Sequence, residues 1–193
     1  MARRLKKSHL KLARSYKFNN TKLHKYQTAQ EALDVYIPWL EKRRKLVIKS
    51  TKHHRLSKAT TTYYKEIRLG SGWESKNSEQ KAYILVHEAV HVRQWDHYGR
   101  LRFGGKYIFD ARFRWAVEVQ GYREGIMWGV VVLKARGHSD TKVRDILQDK
   151  IDRCIRSLLG KTYALKSIRR SDIKKHSRAI FEESITWQLR RLA

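Results

Sequence analysis

Within Leu85-Val86-His87-Glu88-Ala89-Val90-His91-Val92-Arg93-Gln94-Trp95, two histidines stand four residues apart and a glutamate follows the first. On a helix, that spacing separates two side chains by about 40° in azimuth and about 6 Å in height. Two imidazoles so placed can converge on one cation. Glu88 can then reach a water activated by that cation without ligating it. It is placed to accept the water's proton and to deliver it to a leaving amine. The segment around the pattern is apolar and reads as helical, as a buried active-site helix should.

A catalytic site of this kind needs a third ligand, and two residues compete for the place. His97 follows His91 by six residues, the interval of H-E-x-x-H-x-x-G-x-x-H, but Gln94 stands where that pattern has its turn glycine. With the helix unbroken, His97 points about 240° away from His91. The preferred candidate is Glu118, an acid inside the apolar stretch Trp115-Ala116-Val117-Glu118-Val119-Gln120-Gly121-Tyr122. A carboxylate there is costly to bury without a metal or a cationic partner, and Arg114 or Arg123 is the competing partner. Two histidines and one glutamate form a standard catalytic zinc set.

Together, His87-Glu88-x-x-His91 and a glutamate on the next helix resemble the gluzincin branch of zincin metallopeptidases. The run H-E-x-x-H-x-x-Q-W is similar to small bacterial and phage-type zincin domains. These carry an E-x-x-A-Y element on the following helix, matched here by Glu118-Val119-Gln120-Gly121-Tyr122 with glycine for alanine. The resemblance covers about residues 60–136. It implies Zn²⁺ held by His87, His91 and Glu118, with Glu88 as general base and acid. The oxyanion stabiliser is not marked; Tyr122, Tyr98 and His138 are the candidates, with Tyr122 entered as the possible transition-state stabiliser.

The chain that must position these groups is 193 residues long, with 44 Lys and Arg against 18 acids and a formal charge of +26. Such an excess attracts polyanions: nucleic acid, anionic lipid or an acidic protein surface. Cys154 is the only cysteine, so no internal disulfide forms. The longest apolar stretch, Gly125 to Leu133, is far shorter than the ~20 residues of a bilayer span. No secretory signal follows Met1. The expected location is the cytoplasm or the interior of a virion.

The expected fold class is α+β and mostly helical: a minimal zincin-like domain with a short sheet, an active-site helix and a following ligand helix. Residues 1–28 form a basic arm with Arg3, Arg4, Lys6, Lys7, Lys11, Arg14 and Lys17 as candidate nucleic-acid contacts, disordered unless bound. Residues 29–137 form the zincin-like domain and 138–193 a C-terminal helical extension. Helical periodicity covers 29–45, with a break or kink at Pro38. A short strand follows over Leu46 to Ser50, then a basic loop at 51–59 containing the solvated pair His53 and His54. Thr60 to Leu69 reads as a strand, rich in β-branched and aromatic residues. Ser78 is read as the cap of the motif helix, which runs to about Tyr98, and Gly99 stops it. Residues 100–110 read as a loop. Further helices cover about 111–136, the segment after Ser139 or Asp140 up to Gly160, and 171–192. In the first of these, Gly121, Gly125 and Gly129 either allow close packing or weaken the helix. Trp73 and Trp95 are candidates to line a cleft, and Cys154 falls on a core stripe.

Two functions follow from these features. One is a zinc-dependent peptidase-like hydrolase working near nucleic acid or on acidic protein, as a component of a nucleoprotein or virion assembly. The other is a non-catalytic basic structural or nucleic-acid-binding protein that keeps the metal site. A protein substrate belongs to the first alone.

Overall fold

Two polar side chains set where two of the three longest helices begin. Asp110 accepts from the amides of Arg112 and Phe113 and starts α5, Ala111–Ala135. Asn77 accepts from the amide of Gln80, whose side chain caps Asn77 in return, and so starts α3, Ser78–Tyr98. The reciprocal pair satisfies two orphan donors of the first turn. The cap is therefore Asn77 and not Ser78, and glutamine takes the place of the expected acid.

The computed structural model describes residues 2–20, 22–43, 61–63, 66–70, 72–160 and 163–193. Besides α3 and α5 the described elements are α1 (Lys7–Arg14), a 3₁₀ turn (Leu23–Lys25), α2 (Ala29–Arg43), β1 (Thr61–Tyr63), β2 (Glu66–Arg68), α4 (Arg100–Phe109), α6 (Asp140–Leu159) and α7 (Arg170–Leu192). The strand expected over Leu46 to Ser50 and the loop with His53 and His54 lie outside the described residues.

α5 is the axis of the molecule. Eighteen of its 25 residues are buried, and it packs against α1, α3, α4, α6 and α7. Its wide apolar surface suits a helix covered on all sides. On one flank Trp115, Val119, Ile126 and Val130 join a core built from α6 and α7, including Ile151, Leu158, Ile180 and Phe181. On the other, Met127, Trp128 and Val132 join Leu33, Tyr36 and Leu40 of α2 and Leu85, Val86 and Ala89 of α3. The residues read as an arm take part as well: Ala13 of α1 is fully buried in the first core and α1 packs on α5 and α7. The Arg123 guanidinium donates to the carbonyls of Ala13 and Ser15 and to Asn19 Oδ1.

The expected α+β class is corrected by this architecture: the fold is all-α, and a zincin-like domain with a short sheet is not seen among the described residues. Among the described residues the only paired strands are β1 and β2, three residues each, with Thr61 opposite Arg68 and Tyr63 opposite Glu66. Where one strand was expected over 60–69, the chain makes a minimal antiparallel pair with no further strand beside it. The β-branched and aromatic enrichment of 60–69 reports a fit to a half-buried surface, not a sheet. Ile67 and Leu69 meet that need by entering the core of α2 and α3.

Two further expectations change. α2 continues through Pro38; proline removes one intrahelical bond, and Tyr36 and Leu40 on either side are both buried in the core. Residues 100–110, expected as a loop, contain α4. Gly104 lies against the Trp95 ring, where a Cβ would be in ordinary contact at 3.5 Å, so the packing does not demand glycine there.

The glycines of α5 are contact points. A Cβ on Gly125 would stand 2.5 Å from Cζ of Tyr83, and one on Gly129 would stand 3.0 Å from a Leu147 methyl. Gly105 on α4 has open space where its Cβ would be. We expect Gly125→Ala to lower the unfolding free energy by about 1–2 kcal/mol, overpacking outweighing the gain in helix propensity. Gly105→Ala raises it by about 0.5–1 kcal/mol. Urea denaturation of the two variants beside the parent checks both signs.

Candidate metal centre

His87 and His91 project from consecutive turns of α3 toward α5, and Glu118 projects from α5 to meet them. The two Nε2 atoms are 3.0 Å apart. Each is 3.5 Å from Oε2 of Glu118. All three residues are buried, at 8%, 6% and 3% exposure. Four-coordinate bonds of about 2.1 Å place ligand atoms about 3.4 Å from one another, so the triangle has the size a metal ion requires. His87, His91 and Glu118 thus form a buried group that can hold a metal ion.

Each ligand is fixed by a different part of the fold. The His87 ring lies directly on Gly121, where a Cβ would come within 2.7 Å of its Cε1. The Tyr122 ring meets it edge-on, with centroids 4.7 Å apart. The glycine and tyrosine of the Glu118–Tyr122 segment are therefore the floor and wall of the His87 site. On Glu118, Oε1 accepts from the Tyr107 hydroxyl of α4 at 2.5 Å, leaving Oε2 toward the imidazoles. Arg114 holds α4 in place by donating to the carbonyls of Tyr107 and Ile108.

His91 is oriented by a chain of amides whose polarity can be traced from its far end. The Leu12 carbonyl only accepts, so Gln120 presents its Nε2 there, at 2.6 Å. Gln120 Oε1 then faces Gln94, which donates Nε2 to it at 2.7 Å and to the Val117 carbonyl at 3.3 Å. Gln94 Oε1 is left facing His91 Nδ1 at 2.8 Å, so Nδ1 carries the hydrogen and Nε2 turns toward the metal position.

Electrostatics reinforce the grouping. Burial disfavours the charged form of His91, but the carboxylate of Glu118 overrides it and raises the imidazole to about 9. Burial also opposes ionisation of Glu118, yet the two histidines hold its carboxyl far below the usual range. A positive charge is demanded at this position, supplied by a proton where no metal is bound. Glu88 is buried beside His87. Its charge helps to raise both His91 and Tyr107.

Of the two candidates for third ligand, Glu118 joins the histidines. His97 lies elsewhere, its Nε2 3.0 Å from Lys17 Nζ and its ring against Phe18. Neither arginine considered as a partner for Glu118 serves it. Arg114 binds carbonyls including Tyr163 O, and Arg123 binds those of Ala13 and Ser15. Among the proposed oxyanion stabilisers, Tyr122 adjoins His87, while its hydroxyl is 2.7 Å from that of Tyr163. Tyr98 packs with Phe18, Phe103 and Phe113, and His138 follows the far end of α5. Trp95 packs on Phe103 and Trp73 sits under Lys81, so neither is brought to the ligands. Arg3, Arg4, Lys6, Lys7, Lys11, Arg14 and Lys17 are all exposed; Arg14 forms a two-pronged pair with Glu183 at 3.0 and 3.1 Å.

Four functional residues were missed in the sequence: Tyr107, Gln94, Gln120 and, as the floor of the site, Gly121. Tyr107 lay in a segment read as a loop. Gln94 was noted as the residue replacing a turn glycine and as part of the H-E-x-x-H-x-x-Q-W run, with no contact assigned to it. A buried amide at i+3 from a ligating histidine and another at i+2 from a ligating glutamate was the available signal.

Gly121→Ala forces the His87 ring off its seat, and Gln94→Leu strands His91 Nδ1–H and the Gln120 carbonyl. We expect each to weaken metal binding by 10–100-fold, measured by competition with a chromophoric chelator.

No family model, curated protein or solved structure matches this chain.

Proposed function

We propose that the protein is a zinc-dependent peptidase-like hydrolase that works in association with nucleic acid or a nucleoprotein assembly such as a virion. The observation that carries the reading is the triangle of two imidazole nitrogens and one carboxylate oxygen, 3.0, 3.5 and 3.5 Å on its sides, with a second acid, Glu88, buried alongside. Two histidines and a glutamate leave one tetrahedral position open, the composition of a catalytic rather than a closed structural zinc site. The ligand set is the gluzincin one, carried here on an all-α fold.

A bound zinc supplies Lewis acidity to a substrate carbonyl and makes a neighbouring water easier to deprotonate. The chain's own groups do the rest. Glu88 takes the proton of the attacking water and returns it to the leaving nitrogen. Tyr107 and the two glutamines keep Glu118 and His91 aimed. Tyr122, whose ring already borders His87, is the nearest of the originally named tyrosines to a developing oxyanion, and Tyr107 is its competitor from α4.

The second reading is a basic structural or nucleic-acid-binding protein whose metal is structural. It is favoured by one observation: all three ligands are less than a tenth exposed, with α4 bonded to Glu118.

Metal analysis of the purified protein should find one zinc per chain. Glu88→Gln should retain that zinc and lower peptide hydrolysis by at least 10²-fold. A parent that hydrolyses no peptide at full zinc occupancy moves the assignment to the structural reading. For the nucleic-acid partner, the slope of log affinity against log salt counts phosphates. Replacing Lys6, Lys7 and Lys11 by alanine should reduce it by roughly three. A shallow slope in the parent removes nucleic acid as the principal partner.

A further inference from the structure

α4 carries Tyr107 to Glu118 on its inner side, and its outer side is the anomaly of the molecular surface. Leu101 and Phe109 are 88% exposed and Ile108 64%, the three most exposed large apolar side chains among the described residues. At 100° per residue, Ile108, Leu101 and Phe109 fall within an arc of about 100°. Arg102 and Lys106 follow at the margin of that arc, while Phe103 and Tyr107 point the opposite way. The helix is thus divided lengthwise into a buried aromatic side, an unpartnered apolar side and a cationic border. No acid occurs between Gly99 and Phe109.

Single exposed apolar residues are ordinary, but three on one face of one ten-residue helix mark a contact surface. The face is a convex ridge of protruding side chains. Its composition discriminates between polyanions: nucleic acid rewards the cations but takes apolar side chains only singly, as wedges between bases, whereas an anionic bilayer takes the cations and a whole apolar helix face together. Apolar side chains enter the acyl boundary, and lysine and arginine at the helix margin extend to the headgroups. The charge of +26 on the whole chain strengthens the same attraction. No described helix is long and apolar enough to cross a membrane, which leaves lying in the interface as the mode of contact.

We propose that the outer face of α4, through Leu101, Ile108 and Phe109 with Arg102 and Lys106 beside them, docks the protein on an anionic lipid surface. This inference does not depend on the hydrolase reading.

The protein's own chemistry allows a clean test. Cys154 is 3% exposed, and burial pushes its thiol up to about 11, so an environment-sensitive nitrobenzoxadiazole label on Phe109→Cys goes to the introduced thiol. A second label on Thr141→Cys, exposed at the start of α6, serves as control. With vesicles of equal phosphatidylglycerol and phosphatidylcholine, the 109 label should shift to the blue and brighten while the 141 label does not. Partitioning should be at least 10-fold stronger than to pure phosphatidylcholine. Leu101→Ser/Ile108→Ser, at exposed positions, should retain the parent circular dichroism and lose at least 10-fold in partitioning. Sedimentation with vesicles while the 109 label keeps its aqueous spectrum overturns the proposal, since charge alone then holds the protein. A 109 shift that rises with protein concentration in the absence of vesicles also overturns it, and makes the face an interface between copies of this chain.

Discussion

The close approach of α3 to α5 is the constraint on which the structure rests. Gly121 and Gly125 remove the side chains that would hold the helices apart, and His87 and Tyr83 occupy the space. Helices with ordinary side chains between them keep 8–10 Å between axes. Gly121 leaves room for the His87 ring, whose Cε1 is 2.7 Å from where a Cβ would stand, and the seated imidazole comes to 3.5 Å from the Glu118 carboxylate. The loss in helix propensity at each glycine, about 1 kcal/mol, is offset by the contact it permits. The two histidines keep Glu118 ionised in so apolar a helix, while Arg114 and Arg123 are engaged on backbone carbonyls.

Around that contact the fold supplies support from both sides. Tyr107 reaches Glu118 from α4, and the Gln94–Gln120 chain reaches His91 from the segment after α1. A second buried network holds this same segment: Glu124, fully buried, accepts from the Asn20 amide, the Asn19 side chain and Arg93. An acid and an arginine on α5 and another arginine on α3 therefore anchor residues 13–20 as firmly as a core strand would be.

The centre was legible in the sequence because its signals are local. The interval between His87 and His91 sets their relative azimuth on any helix, and the cost of burying Glu118 unpaired marked it as a ligand. What was hidden depends on distance along the chain. Nothing near Gln120 announces that Leu12 lies beneath it, and nothing near Gly104 and Gly105 announces that Phe103 between α3 and α5 is buried and carries a helix through them. The fold class failed for a related reason. Residues 60–69 have the composition of a strand, but a sheet requires partners, and the described chain offers only a three-residue return. Pro38 was read as a break or kink by a local rule, whereas α2 runs on through it with Tyr36 and Leu40 buried on either side. The helix ends at Ser139, one of two caps considered, and at Gly99 and Gly160 were legible because a cap acts within its own turn.

The amide chain from Leu12 to His91 ties the tautomer of a ligand to the backbone of the N-terminal segment. If that segment detached, Gln120 and Gln94 would be free to flip, and Nε2 of His91 could carry the hydrogen and lose its lone pair to the metal. Occupancy of the centre and docking of residues 12–20 are therefore thermodynamically linked, each favouring the other by the same free energy. A terminus with the composition of a loose polycationic tail acts instead as a keystone for coordination chemistry in the middle of the chain.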